Sequence, residues 1–430
     1  MSKQINLAYE WIGPNGPLTN NRIPTITDLM TASVDYHFPQ LKGDLFQKPH
    51  FHSRIVNSRI VSTYKLPQEI FLYELNWNNF HYRDKFHNFH PADGFFDNNQ
   101  IDAKVLDRIR NKTAYFLVTL FYEGYMDDEF LNHLSDYFIS KGLPLSRVIY
   151  MTNCYNGQAV YEDYCKRNHK LPEMQMEYFP VFRIDRCNVQ QAITESVNST
   201  YQPGTRKKTF LCFNRRYNDH RLMLYLKMFK EGLVDQSYYS MDKNQPEASS
   251  TFVENCKYLL SRFSNYGVEA NDVLAADKSL PLVLDNPNFS RYPMEHSVDP
   301  VKHLYDSSLI NIITETYFFS NIIHITEKTY KPIAFMQPFI LVAAPGSLKH
   351  IQDMGFKTFS EFWDESYDLE LDHKLRFEKI MSVIKFIASW SEEQRIEFTH
   401  KIKDTVEYNV KHLNTMQDTE IDNLVEKYGT

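Results

Sequence analysis

Apolar positions in the second half of the chain fall in short runs, each closed by a polar group. That is the pattern of strands buried on both faces. Leu309 to Ile313 is such a run and ends on Thr314-Glu315-Thr316-Tyr317. Ile322 and Ile323 lead into the polar stretch His324 to Pro332, and a further strand is predicted from Phe339 to Ala343, closed by Pro345-Gly346-Ser347. Upstream, Thr209 to Arg216 reads as a strand with a basic tip. A helix from Asp219 to Glu231 follows, with Asn218 or Asp219 as N-cap and Gly232 as its stop. The same rhythm fills the middle of the first half: strand Ala114 to Phe121, helix Asp127 to Ile139, strand Val148 to Thr152, helix Gly157 to Arg167, strand Met176 to Phe182. Strands alternating with helices predict an α/β fold with largely parallel sheets, whose ligands sit at the carboxyl ends of the strands.

Elsewhere the pattern is weaker. Tyr9 to Pro17 is a turn-rich loop after a short strand, and residues 50–99 are dense in His, Asn and aromatics, a composition that suits sugar binding or an aromatic-rich core. His50-x-His52 and His87-x-x-His90 have no accompanying carboxylate or thiol pattern, so no metal is assigned. Ser250 to Phe263 and Ser347 to Met354 look helical, and Phe359 to Asp368 is an aromatic and acidic loop. Leu371 to Asn414 reads as two amphipathic helices that pack the C-terminal domain and can cross back to the first.

Length and charge narrow the classes. At 430 residues the chain exceeds what one core supports. The Pro- and Gly-containing stretch Ser199 to Lys208 marks a boundary between two domains, 1–200 and 205–430, the second with terminal helices. A net charge of −7 gives no global attraction to nucleic acid or to an anionic membrane, although a local basic groove is compatible with it. The five cysteines have no C-x-x-C spacing and read as buried thiols of a reducing compartment. With no apolar run of about 18 residues and no signal-peptide pattern, no membrane span is expected. The expected location is the cytoplasm of a microbe or of a virus-infected host cell.

Candidate chemistry gathers at predicted strand ends. Lys328 and Lys331 near a helix start can hold phosphate together with free backbone N–H groups. Glu327 beside them can accept from the hydroxyls of a ribose or sugar. Pro332 requires either that the helix begin near Lys331 or that it be kinked there. An ordinary exposed pair between Glu327 and Lys331 is the simpler alternative. Arg215, Arg216 and Arg221 are rival guanidinium groups for a diphosphate, or arginines covering a helix surface. Glu123, just past the strand Ala114 to Phe121, is the candidate general base, or a surface turn glutamate.

Ile325-Thr326-Glu327-Lys328, with Glu315 upstream and Asn214 and Arg221 on the earlier strand and helix, resembles the donor motif of the family-10 α-1,3-fucosyltransferases. The family pattern is a strand ending Phe-Glu-Asn-Ser/Thr followed by Tyr-Ile/Val-Thr-Glu-Lys. Here Thr316 stands where the family has Asn, and the glutamates are spaced about two residues farther apart. The resemblance covers Thr209 to Ser347 in two pieces. It implies two Rossmann-like domains facing each other, the GT-B arrangement, and metal-independent inverting transfer from a nucleoside-diphosphate sugar such as GDP-fucose to a glycan or other hydroxyl acceptor. Under it Lys328 and Arg221 take the diphosphate, Glu327 the ribose or sugar hydroxyls, Glu315 and Tyr317 the transferred sugar, and no cofactor is needed. Two alternatives remain: a virus-encoded transferase acting on hydroxylated DNA bases, and a non-catalytic carbohydrate-binding descendant.

Overall fold

A computed structural model describes residues 103–119, 124–185, 189–215, 218–243, 251–263, 266–284, 299–417 and 419–428, with the backbone of five further strands near the N-terminus. The chain divides into two compact units, 1–184 with 417–430, and 185–416.

The first unit holds strands β1 (Ile5–Tyr9), β2 (Ser58–Ser62) and β3 (Phe71–Asn76), and a small antiparallel pair, β4 (His81–Arg83) with β5 (Phe89–Pro91). Helix α1 (Ala103–Arg110), β6 (Ala114–Thr119), α2 (Asp128–Ser140), β7 (Val148–Thr152), α3 (Gly157–Arg167), β8 (Gln175–Tyr178) and α4 (Val181–Asp185) follow. All neighbours in the large sheet are parallel, in the order β2-β1-β3-β6-β7-β8. β7 is buried throughout, as its apolar run requires. Phe130 and Phe138 of α2 close over the sheet, 5.3 Å from Tyr150 and 5.1 Å from Phe116 between ring centroids. Each such fully buried ring contributes roughly 1.5–3 kcal/mol. Asp127 caps α2 by accepting from Phe130 N. The predicted strand Met176 to Phe182 ends early, at Tyr178: Pro180 offers no ladder donor, and Val181 begins a short helix.

The second unit contains α5 (Gln190–Val197), β9 (Lys208–Phe213), α6 (Asp219–Lys230), β10 (Ser237–Ser240), α7 (Phe252–Arg262), α8 (Ala270–Lys278), α9 (Asp299–Asp306), β11 (Ser308–Thr314), α10 (Glu327–Ala334), β12 (Phe339–Val342) and α11 (Ser347–Asp353). Its parallel sheet runs β10-β9-β11-β12, so the chain winds outward from β9 to β10 and then returns to the other side of β9 as β11. That reversal creates a switch point between β9 and β11, and sheets of this kind take their ligands in a crevice beyond the strand ends at such a point. β11 and β12 are buried along their whole lengths.

Three helices, α12 (His373–Ala388), α13 (Glu392–Lys401) and α14 (Lys403–Thr415), stand where two were expected. The first break falls at Ser391, whose hydroxyl and Gln394 form a capping box, and the second at Ile402. α14 packs against both α5 and α10, which places α5 in the second unit although it precedes the expected boundary at Ser199 to Lys208. The last helix, α15 (Thr419–Tyr428), belongs to the first unit: Glu420 pairs with the buried Arg183, Lys427 with Glu177, and the Tyr428 hydroxyl lies 2.6 Å from Gln175 Oε1. No helix among the described residues is long and apolar enough to cross a membrane. Cys154, Cys165, Cys212 and Cys256 are buried free thiols, and Cys187 lies outside the described residues.

Candidate functional site

The switch point of the second unit brings together most of the residues singled out in the sequence. From the β9 side come Asn214, Arg215 and, on the first turn of α6, Arg221; from the β11 side come Glu315, Tyr317 and the start of α10. Arg216 and Glu123 lie outside the described residues.

α10 begins at Glu327 with Thr326 as N-cap, so Pro332 sits inside the helix and Glu327 and Lys328 occupy its first turn. The start is fixed by Glu315, which is 1% exposed. One of its carboxylate oxygens accepts from Thr326 N at 3.0 Å and Thr329 Oγ1 at 2.6 Å, and the other from Thr326 Oγ1 at 2.6 Å. Three donors therefore saturate a carboxylate that the resemblance had placed on the transferred sugar. Glu315 instead ties the end of β11 to the start of α10, and Thr326, also buried, is spent in the same bonds. Asn214 is likewise internal: it donates to the Tyr239 hydroxyl at 3.0 Å and accepts from Thr314 Oγ1, joining β9 to β10 and β11.

The backbone donors expected to greet a phosphate are also occupied. Thr326 N goes to Glu315, Lys328 N to Thr326 Oγ1 at 3.4 Å and Thr329 N to Thr326 O at 3.1 Å. What faces outward is side-chain charge. Lys328 Nζ lies 3.1 Å from Glu327 Oε1, with the two side chains 32% and 20% exposed. Burial pushes the Glu327 carboxyl up, but Lys328 and Lys331 beside it outweigh that and hold it down to about 2. Arg221 is within electrostatic reach of Glu315 and Glu327, and its Nη2 donates to Thr314 O at 3.1 Å. Burial lowers its pKa, and the two carboxylates support the charged form. Arg215 pairs with Asp242 at 3.3 Å beyond the end of β10. Tyr317 is half-buried, its ring 5.8 Å from that of His324.

Two histidines buried beside these residues, His220 and His324, were not singled out by the sequence. Burial pushes His220 down to about 3, and His324 likewise, so both rings are neutral near pH 7. His220 Nε2 lies 2.9 Å from the Glu315 carbonyl, which can only accept, so Nε2 carries the proton. The position of His220 directly before Arg221 was the available signal: on α6 it faces inward as its neighbour reaches the strand ends.

Among the described residues no group of three or more His, Cys, Asp or Glu is placed to hold a metal ion. No family model matches the chain, and no curated protein does. Solved structures similar to it include the DNA-modifying enzyme β-glucosyltransferase, determined in the presence and absence of its substrate uridine diphosphoglucose. There the TM-score is 0.34 and the identity 12%, over 94% of this chain and 99% of that one. Another is a glycosylation-associated protein (Gap123) complex from Streptococcus agalactiae, with a TM-score of 0.26 and 11% identity over 80% of this chain and 54% of that one.

Proposed function

We propose that the chain is a glycosyltransferase that takes its sugar from a nucleoside-diphosphate donor bound at the β9–β11 switch point. The observation that carries this reading is the gathering of Arg221, Glu327, Lys328 and Lys331 around one crevice at the strand ends. A diphosphate needs cationic donors, and a ribose or hexose needs an ionised carboxylate to accept from its hydroxyls; Glu327 stays ionised across the physiological range.

In the reaction proposed, an acceptor oxygen bonds to the anomeric carbon while the bond from that carbon to the diphosphate oxygen breaks. The acceptor's proton passes to a base, for which Glu123 is the sequence's candidate. Negative charge grows on the departing nucleoside diphosphate, and in this reading Lys328 and Arg221 neutralise it. Inversion at the anomeric carbon and fucose as the sugar are what the family resemblance implies. The acceptor is a hydroxyl, of a glycan in the main reading and of a hydroxylated DNA base in the other.

The test is calorimetric titration of GDP, UDP and their sugars into the wild-type chain and Lys328→Ala, with no metal added. One nucleotide should bind, and the variant should bind it about 1.5–3 kcal/mol more weakly, the size of a hydrogen bond to a charged group. A folded wild-type chain that binds none of them overturns the reading. Offering a glycan and a hydroxymethylated duplex to the donor that binds then decides between the acceptors, and DNA transfer alone should fall steeply with added salt.

A further inference from the structure

The loop between β11 and α10, residues 315–326, is held at three places. At its start the Glu315 carbonyl accepts from His220, and at its end the Glu315 carboxylate takes Thr326. The third hold is in the middle and comes from α12. Arg376 is 2% exposed, and two of its guanidinium nitrogens bond backbone while Nε is buried without a partner: Nη2 donates to Phe318 O, and Nη1 to Glu370 O at 2.6 Å. The same guanidinium lies 4.5 Å from the centroid of the Phe318 ring, whose centroid is 5.6 Å from that of the His220 ring, nearly parallel to it. Phe319 next to it stacks on Phe263 at 4.5 Å.

Ion burial of this kind costs stability unless its donors are satisfied, so such a group needs a reason to be there. The reason lies in what the loop carries. Tyr317 sits half-buried between the first hold and the third, and Thr316 next to it is exposed. Holds at Glu315, Phe318 and Thr326 limit how far the backbone at Tyr317 can move. The charged groups that would meet a diphosphate are on α6 and α10, outside this loop.

We propose that Arg376 is a positioning residue for the sugar half of the donor: through Phe318 it fixes the loop that presents Tyr317 to the transferred sugar. This rests on the donor-site reading above. Lysine cannot replace it, because an ammonium lacks the plane that lies over Phe318 and the fork that reaches two carbonyls.

The experiment measures two ligands on each protein, the bare nucleoside diphosphate and its sugar conjugate, for wild type, Arg376→Lys and Phe318→Leu, each checked for folding by circular dichroism. Phe318→Leu removes the ring and leaves the carbonyl, so it decides the matter if Arg376→Lys does not fold. The expected result is that the variants bind the bare diphosphate within about twofold of wild type but bind the conjugate about tenfold more weakly, the scale of one lost charge-assisted bond. A structural role alone predicts equal weakening of both ligands or of neither, and either result in folded variants overturns the proposal. Wild type that binds neither ligand overturns the donor-site reading together with it.

Discussion

Glu315 offers the sharpest test of whether the β11–α10 junction is scaffold or ligand contact. Its carboxylate accepts three hydrogen bonds and is closed to solvent. Glu315→Ala strands the Thr326 N–H, at about 1–3 kcal/mol for a buried unpaired donor, and empties the space of the side chain. The two threonine hydroxyls can turn to other acceptors, so the whole change should cost about 3–5 kcal/mol. Glu315→Gln is milder. Its amide oxygen can keep Thr326 N and Thr329 Oγ1, and its amide nitrogen can donate to Thr326 Oγ1, which also accepts, leaving a loss of about 1 kcal/mol as charged bonds become neutral. Hydrogen exchange over residues 325–334 reads the local opening directly, with faster exchange in the order wild type, Gln, Ala. Nucleotide-sugar affinity of Glu315→Gln should stay within about twofold of wild type. If that variant exchanges like wild type yet loses tenfold or more in affinity, the carboxylate touches the ligand and the scaffold assignment is refuted.

Two further outcomes are expected. His220 in the fold is held down to about 3 against an ordinary 6.5, so its contribution to stability is fully present above 6.5 and is lost as pH falls toward 3. His220→Phe keeps the stack on Phe318 but loses the bond to Glu315 O, so it should be about 1 kcal/mol less stable at pH 8. That gap should narrow as pH falls below 6.5; a gap constant with pH in urea titrations would refute the buried neutral ring. Deleting residues 417–430 removes the pairs to Arg183, Glu177 and Gln175. Proteolysis of the first unit should accelerate while nucleotide affinity stays unchanged; lost affinity would count against a donor site built within the second unit alone.

Local rules carried most of the α/β frame. Apolar runs marked β7, β11 and β12 because strands covered on both faces leave few polar positions, Asn311 in β11 being one that is buried and bonded to Gln337, and Asn218 with Gly232 bracketed α6 because caps act on their own neighbours. The same locality explains what was missed. The motif Thr326-Glu327-Lys328 led to the crevice, but only the folded chain shows that Thr326 turns inward while its two neighbours face out. Glu315 looked like a ligand group because a carboxylate at a strand end is one in many sheets, and its partners lie 11 and 14 residues away. Arg376 gave no signal, since the carbonyl it holds is 58 residues upstream. The change of unit at 184/185 follows from α5 packing on α14, a contact between segments some two hundred residues apart.

The saturated amides at the start of α10 matter beyond this crevice. At α11 too, the Asp368 carboxylate takes Leu348 N at 2.8 Å and Lys349 N at 2.9 Å. A phosphate site built from main-chain amides survives almost any change of side chain, because every residue supplies the same N–H. The diphosphate of a donor held here would depend on lysine and arginine tips rather than on those amides. Such a grip weakens as ionic strength rises, and one codon change can erase it or redirect it, so preference among donors would drift more easily between related chains than the fold that carries it.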